Sequence, residues 1–179
     1  LIPLPVNAKT LLVKQQTKSS LLWKIWYDYK LPAALRKINA DVLVSADGIC
    51  SLRTRIPQCL IVNDTMFLHH PDWYGKKYLG FIKSNIVACL QKADTAITFS
   101  NYSSNELITQ YKTAANKIAV IIPGASKIYQ PVAVVDREAV KEKYAAGKEY
   151  FLFYGAIHEH NHLIRLLKAF SLFKKRQKS

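Results

Sequence analysis

Five short segments of the sequence are almost entirely apolar, and each is followed by a polar or glycine-containing turn. They span 41–45, 59–62, 95–99, 118–122 and 150–154. A strand with one face in water alternates apolar and polar residues, whereas a strand of a parallel sheet is covered by helices on both faces and is apolar throughout. The unbroken apolar segments therefore predict strands of a parallel sheet.

Helical patterns lie between these segments. Apolar residues at helical spacing predict helices around 79–90 and 163–173. A further stripe near the start of the chain predicts another helix, which we expect Pro32 to break or restart. Strand and helix thus alternate, which predicts an α/β fold with a Rossmann-like parallel sheet flanked by helices. The stripe residues of the first helix are Leu21, Leu22, Ile25, Trp26 and Tyr29.

Helix ends and domain boundaries also leave signals. The spacing of Ser103 and Glu106 matches a capping box and predicts a helix over 100–111. Asp136 is a candidate cap for another helix, which Gly147 ends. The stretch 123–131, with a proline at each end, is a candidate boundary, and Gly147 is a second one.

The chain is strongly basic, with 26 Lys and Arg against 12 Asp and Glu and a formal net charge of +14. Such an excess favours anionic partners, whether nucleic acid, acidic lipid head groups or phosphorylated small molecules. The basic cluster at 174–178 is more typical of a solvated helix face than of a binding site. Three cysteines without CxxC spacing argue against a disulfide framework or a zinc ribbon and favour a reducing compartment.

Open α/β sheets bind ligands at the carboxyl ends of their strands, so the residues that follow each strand are the site candidates. Asp64 comes directly after an apolar strand and can bind a hydroxyl or assist proton transfer. The alternative for Asp64 is a turn or helix-capping aspartate. Gly155 precedes a helix and would let a phosphate approach the backbone, with a tight turn as its alternative.

Two histidine-containing stretches have structural alternatives. The imidazoles of His158, His160 and His162 would face one way on an extended segment and suggest a metal site. The spacing is not HExxH, and no second ligand cluster accompanies it, so we expect a polar loop and no metal. His69 and His70 are expected in a surface turn before a proline.

Four stretches, taken in order, have the pattern of one known family. Residues 56–71 contain Pro-Gln-Cys-Leu-Ile-Val-Asn-Asp and then Phe-Leu-His-His-Pro, and residues 93–103 contain Ala-Asp-Thr-Ala-Ile-Thr-Phe-Ser and a second Ser. Residues 117–124 read Lys-Ile-Ala-Val-Ile-Ile-Pro-Gly, and 151–170 read as a strand followed by a helix. Together, over about 41–173, they resemble glycosyltransferase family 4.

The resemblance implies a GT-B architecture, in which two Rossmann-like domains enclose a cleft. It places an acceptor-side domain at 1–147, with its first strand or strands missing. The first strand and helix of a nucleotide-sugar domain, truncated, would then occupy 148–179. The family transfers sugars with retention and without a divalent metal, so no cofactor is expected beyond the nucleotide-sugar co-substrate.

Carried over residue by residue, the resemblance implies a set of site residues. In two places the chain departs from the family pattern. Asn63 stands where the family has His, and His160 and Asn161 stand where it has the Arg and Lys that neutralise a diphosphate. The implied residues are Asp64 and Asn63 for catalysis, Asp47, Gly48 and Ser100 for the acceptor, and Gly124, Gly155, His160 and Asn161 for the nucleotide-sugar.

The implied activity is that of a retaining hexosyltransferase-type enzyme that acts on a lipid-linked or polysaccharide acceptor. We expect a cytoplasmic location, with an anionic membrane surface as a further candidate partner, and we expect the chain alone to be inactive. The alternative is a non-catalytic Rossmann-type module that binds a nucleotide or another anionic partner. Nucleic-acid binding rests on charge alone and is not expected.

Overall fold

The computed structural model describes residues 5–14 and 19–177, except for the side chains of Ser20 and His160. The chain divides into two compact units, Leu1–Pro123 and Gly124–Ser179. This division falls at the start of the proline-bounded stretch 123–131, one of the two boundary candidates, rather than at Gly147. The two units are described separately below.

The first unit begins with helices and continues as alternating strands and helices. Its helices are α1 (Ser20–Ile25), a π-helical turn (Trp26–Lys30), α2 (Leu31–Lys37), α3 (Met66–His69), α4 (Lys76–Lys92) and α5 (Asn101–Tyr111), with 3₁₀ turns at Pro71–Trp73 and Ala115–Lys117. Its strands are β1 (Leu43–Ser45), β2 (Gln58–Val62), β3 (Thr95–Thr98) and β4 (Ile118–Val120).

Within the described residues, the four strands form one parallel sheet in the order β1-β2-β3-β4. The predicted parallel sheet flanked by helices is therefore confirmed. Burial alternates along β2, however: Leu60 and Val62 are buried, whereas Cys59 and Ile61 are only half-buried. One face of the sheet at β2 is thus covered more completely than the other, although the apolar sequence predicted that both faces are covered.

Helix α4 packs on the sheet at β2 and contributes a stripe of buried residues to the core. Its buried residues recur every three or four positions, as the sequence predicted, and they join Leu60 and Val62 in the main core cluster. Burial of apolar surface stabilises the folded state by about 25 cal/mol for each Å² removed from water. The buried stripe of α4 is therefore a main source of stability for the unit. The buried apolar residues of α4 are Phe81, Ile82, Ile86, Cys89 and Leu90.

The α-helix restarts beside Pro32, as predicted: a π-helical turn ends at Lys30, and α2 begins at Leu31 with Pro32 in its first turn. The predicted apolar stripe, however, is largely on the wrong face. Leu21, Leu22, Ile25 and Tyr29 are exposed, while Tyr27 is buried and Trp23 and Trp26 pack partly buried against the core.

The predicted helices at 100–111 and near 136–146 are both present, but their caps differ. Ser100, rather than Ser103, caps α5, and its side chain accepts a hydrogen bond from the Ser103 amide. In the second unit, α6 (Val134–Ala145) begins after Ala133, so Asp136 lies inside its first turn and does not cap it. No helix among the described residues is long and apolar enough to cross a membrane.

The second unit contains α6, a 3₁₀ turn (Glu159–Asn161) and α7 (Leu163–Arg176). The predicted strand at 150–154 does not form, because no described segment of this unit pairs with it. Phe151 instead packs edge-on against Phe170 and Phe173 of α7, with ring centroids 5.7 Å apart in both pairs. The result is an apolar groove of about 470 Å³ between this segment and α7.

Candidate ligand site

A cavity of about 80 Å³ lies where β1 and β2 end. Because the strands are parallel, the residues that follow them meet at one edge of the sheet. Four of the predicted site residues line this cavity: Asp47 and Gly48 after β1, and Asn63 and Asp64 after β2. Its other walls come from α3, α4 and the turn between them, through Phe67, Tyr74, Tyr78, Ile82 and Ile86.

The loop that carries Asp47 is held on several sides. The Tyr27 hydroxyl donates to Asp47 Oδ2 at 2.9 Å. Gly48 has a φ of +70°, which favours glycine, and its amide donates to the Ile61 carbonyl at 3.1 Å. The Asn63 side chain donates to the Ala46 carbonyl at 3.4 Å, which links the ends of the two strands. Asp47 is therefore an exposed carboxylate in a constrained position.

Asp64 both stabilises a turn and lines the cavity. Its Oδ1 accepts the Met66 amide at 2.9 Å, which is the turn contact that the structural alternative predicts. The same oxygen accepts the Tyr74 hydroxyl at 3.3 Å. Both of these contacts are made by Oδ1, so Oδ2 is the oxygen available to a ligand among the described residues.

Three tyrosines around the two carboxylates are held in their protonated form. Burial, and then the negative charge of Asp64, raise the pKa of Tyr74 to about 12. Burial, followed by the charge of Asp47, also raises the pKa of Tyr27 above its ordinary value. For Tyr78, burial and then both carboxylates raise the pKa. At neutral pH these phenols are therefore hydrogen-bond donors. Among the residues described by the structure, the two aspartates are the negative charges that line the cavity.

A second cavity of about 190 Å³ adjoins the first. The two share Asp47, Asn63, Tyr78 and Ile82, so Tyr78 and the carboxylate of Asp47 stand between them. The second cavity is more aromatic, since Trp23 and Phe81 line it with ring centroids 5.7 Å apart in an edge-on arrangement. Together the two cavities form a groove with carboxylates, an amide and aromatic faces.

The aromatic walls were not predicted from the sequence. Tyr74 precedes α4 and Tyr78 lies in its first turn, and the two rings stack with centroids 6.1 Å apart. Because Tyr74 lies outside the helix, helical spacing does not signal this pair. Trp23 and Tyr27 are four residues apart in the N-terminal helix, a spacing that could have signalled a shared face. The prediction missed Trp23 and Tyr27 because it assigned the inward face of the N-terminal helix to a different stripe, namely Leu21, Leu22, Ile25, Trp26 and Tyr29.

The other predicted acceptor residue, Ser100, does not line either cavity. Its hydroxyl is the N-terminal cap of α5, so its side chain has a structural role there. Near this cap, His69 Nε2 lies 2.7 Å from Glu106 Oε2 and 3.2 Å from the Tyr102 hydroxyl. These contacts join α3 to α5 on the exposed surface.

The residues predicted to bind the nucleotide-sugar belong to the second unit. Gly155 has a φ of +147°, a conformation that other residues rarely adopt, and the Asn161 amide donates to the Ala156 carbonyl at 2.8 Å. Asn161 therefore stabilises the loop that leads into α7. Gly124 is the first residue of this unit and is exposed. The side chain of His160 lies outside the described residues.

The segment 158–162 is not extended, so the geometry behind the metal interpretation is absent. Glu159–Asn161 form a 3₁₀ turn, and His162 has a φ of +51°. Among the side chains that the structure describes, no three His, Cys, Asp or Glu residues gather as a metal site would require.

Comparison with protein-family models, with curated proteins and with solved structures finds no match for this chain.

Proposed function

We propose that this chain is the acceptor-side part of a retaining glycosyltransferase, and that its first unit binds a sugar in the groove at the ends of β1 and β2. The observation that supports this proposal most directly is the meeting of Asp47, Asn63 and Asp64 around one cavity with aromatic walls. These three residues come from two loops, with Asp47 after β1 and Asn63 and Asp64 after β2. The resemblance to glycosyltransferase family 4 assigns the same residues to catalysis and acceptor binding.

The chemistry of the groove suits a neutral, hydroxyl-rich ligand. Carboxylate oxygens accept hydrogen bonds from hydroxyls, and such charge-assisted bonds are about twice as strong as neutral ones. The protonated tyrosines donate to sugar oxygens, and the aromatic faces pack against apolar C–H faces of a ring. An anionic ligand would instead be repelled by Asp47 and Asp64, so the positive charge of the whole chain does not describe this groove.

In the proposed reaction, Asp64 orients the acceptor hydroxyl and accepts its proton as the new glycosidic bond forms. The hydroxyl attacks the anomeric carbon on the face from which the nucleoside diphosphate departs. Asn63 cannot titrate, so its part is limited to hydrogen bonding. Tyr74 holds Asp64 Oδ1, which leaves Oδ2 for the hydroxyl.

The proposed nucleotide-sugar side involves Gly124, Gly155, His160 and Asn161. The departing diphosphate would be stabilised by amides at the start of α7 and by cations. The proposed acceptor is lipid-linked or a polysaccharide. We propose that the enzyme works in the cytoplasm at the inner face of an anionic membrane, which the charge of +14 favours.

A second candidate is a non-catalytic module that binds a nucleotide or another anionic partner. One observation favours it: Asn161 replaces a cation of the family pattern, and its amide is already bonded to the Ala156 carbonyl. Such a module would bind a nucleoside diphosphate without turning over a nucleotide-sugar.

A binding experiment tests the acceptor assignment. Saturation-transfer NMR would measure binding of methyl glucoside, galactoside and mannoside to the full chain and to three variants. Asp64→Asn and Asp47→Asn should each weaken binding about tenfold or more, because each removes a charge-assisted hydrogen bond. Asp41→Asn is the matched control, since this exposed carboxylate precedes β1 at the opposite end of the strand.

Asp64→Asn keeps an oxygen for the Met66 amide, so its melting temperature should stay near that of the parent chain. In an intact enzyme that transfers a sugar from a nucleotide-sugar, the same change should lower turnover roughly 10²-fold. Glycoside binding that survives both groove variants would contradict the assignment. Binding of a nucleoside diphosphate without binding of any of the three glycosides would favour the second candidate.

A further inference from the structure

Two buried cysteines of the first unit face each other. The Cys50 amide donates to Cys89 Sγ with an N–S distance of 3.3 Å. Cys50 Sγ lies 3.6 Å from the Cys89 carbonyl oxygen, and Cys89 Sγ lies 3.7 Å from the Cys50 carbonyl oxygen. Because each sulfur reaches the backbone of the other residue, the two side chains share one small space.

The pair joins two parts of the first unit that are distant in sequence. Cys50 follows Gly48 and Ile49 in the loop after β1, and Cys89 lies near the end of α4. Both residues are 1% exposed and belong to the main core cluster. The third cysteine, Cys59, is only half-buried and lies on β2.

We propose that Cys50 and Cys89 are a site of reversible oxidation, at which a hydroperoxide converts the two thiols into an intramolecular disulfide. The geometry favours this pair because a disulfide needs two side chains that already point toward each other across a short gap. A reducing compartment would keep the pair as thiols, in agreement with the cysteine pattern of the sequence.

The chemistry needs only the peroxide. The Cys89 thiolate attacks one peroxide oxygen, the O–O bond breaks, and hydroxide leaves and takes up a proton to become water. The Cys50 sulfur then attacks the resulting sulfenic acid, the S–O bond breaks, and a second water leaves. In total, two thiols lose two electrons and two protons, and one hydrogen peroxide is reduced to two waters.

The surroundings favour Cys89 as the attacking group. The hydrogen bond with the Cys50 side chain lowers the pKa of Cys89, which increases its thiolate fraction. The same hydrogen bond, together with burial, raises the pKa of Cys50. The charged groups nearest the pair include Asp28, Lys24 and Lys92.

Oxidation at this position would connect the two walls of the groove. The loop before Cys50 carries Asp47 and Gly48, and α4 carries Tyr78 and Ile82. A bond between Cys50 and Cys89 would fix the distance between these walls from behind. This inference does not depend on the proposed function, because the disulfide can be measured without any ligand.

The test uses the full chain with Cys59→Ser, which leaves Cys50 and Cys89 as its only thiols. After treatment with hydrogen peroxide, intact mass spectrometry without reductant should show a loss of about 2 Da, the mass of two hydrogens. Dithiothreitol should restore the mass. The melting temperature of the oxidised form should be higher, because the bond closes a long loop in the unfolded chain.

Because the pair is buried, oxidation should be slow and should follow local opening of the core. A mass gain of whole oxygen atoms without the loss of two hydrogens would overturn the proposal. So would two thiols that remain fully available for alkylation after the treated protein is unfolded.

Two further measurements check that the loss of two hydrogens comes from this pair and not from a substitution that disturbs folding. Cys89→Ala in the same background leaves one thiol, and it should show no loss of two hydrogens. Disulfide mapping of the parent chain, which needs no substitution, should find the bond between Cys50 and Cys89. A bond that involves Cys59 instead would overturn the assignment.

Discussion

Two apolar segments with the same sequence character have different structures in the two units. Residues 59–62 lie in β2, between two parallel neighbours, and Leu60 is 0% exposed. Residues 150–154 form no strand, and Leu152 is 80% exposed. The segments have similar β propensity, so propensity does not explain the difference.

The difference lies in what surrounds each segment. A strand needs a neighbour that accepts and donates its backbone hydrogen bonds, and a buried face needs a layer that covers it. In the first unit, β1 and β3 flank β2, and α4 covers it. In the second unit, α7 contacts the segment through Phe151, and no described strand lies beside it. Non-local pairing therefore separates the two outcomes.

The largest expected effect tests this contrast directly. Leu60→Ala should lower the free energy of unfolding of the first unit by about 2–5 kcal/mol, because it leaves a cavity in a close-packed core. Leu152→Ala should change stability by less than about 0.5 kcal/mol, as is usual for exposed positions. All three tryptophans, Trp23, Trp26 and Trp73, lie in the first unit, so their fluorescence in urea reports its unfolding. Far-UV circular dichroism would also include α6 and α7. Equal losses for the two variants would contradict the contrast.

A second pair of substitutions compares loop contacts. In the first unit, Gln58 Oε1 accepts the Ser51 amide at 3.0 Å, and its Nε2 donates to the Ser51 carbonyl at 2.8 Å, with both residues buried. Gln58→Met keeps the approximate volume but leaves these backbone groups unsatisfied, so it should cost about 1–3 kcal/mol. In the second unit, Asn161→Ala removes an exposed contact to Ala156, and water can replace it. Urea unfolding should therefore show a loss below about 0.5 kcal/mol for Asn161→Ala.

The smallest effects concern the helix caps. Ser100→Ala removes the side-chain cap of α5 and should destabilise the first unit by about 1 kcal/mol. Helix α6 has no side-chain cap at Ala133, although the backbone there is already extended. Ala133→Ser should therefore stabilise this helix by about 0.5–1 kcal/mol. Thermal melts followed at 222 nm would detect both changes, and a destabilising Ala133→Ser would show that the cap geometry of α6 is not the one described.

The residues at the ends of β1 and β2 could be predicted because a positional rule applies to them. Once the strands are parallel, Asp47 and Asp64 must follow them at the same edge. Ser100 follows β3 by the same rule, but it caps a helix, because serine suits both roles and sequence alone does not separate them.

The aromatic walls of the groove needed the three-dimensional structure. Tyr27 becomes buried through the π-helical turn, in which the inward face differs from that of a regular α-helix. This turn directs both Tyr27 and Asp28 inward, where Asp28 Oδ1 accepts the Leu52 amide at 2.8 Å. The stripe of Leu21, Leu22 and Ile25 predicted the opposite face.

The sequence by itself determined the features that depend on short-range patterns. It indicated four of the strands, their parallel arrangement, helices α4, α5 and α7, and the polar residues at the strand ends, because side-chain periodicity and turn chemistry act within a few residues. The tertiary structure decided which face of the N-terminal helix packs, whether 150–154 joins a sheet, and which aromatic residues line the groove. Those outcomes depend on hydrogen bonds and packing between residues far apart in the chain, and local composition does not specify which distant groups will meet.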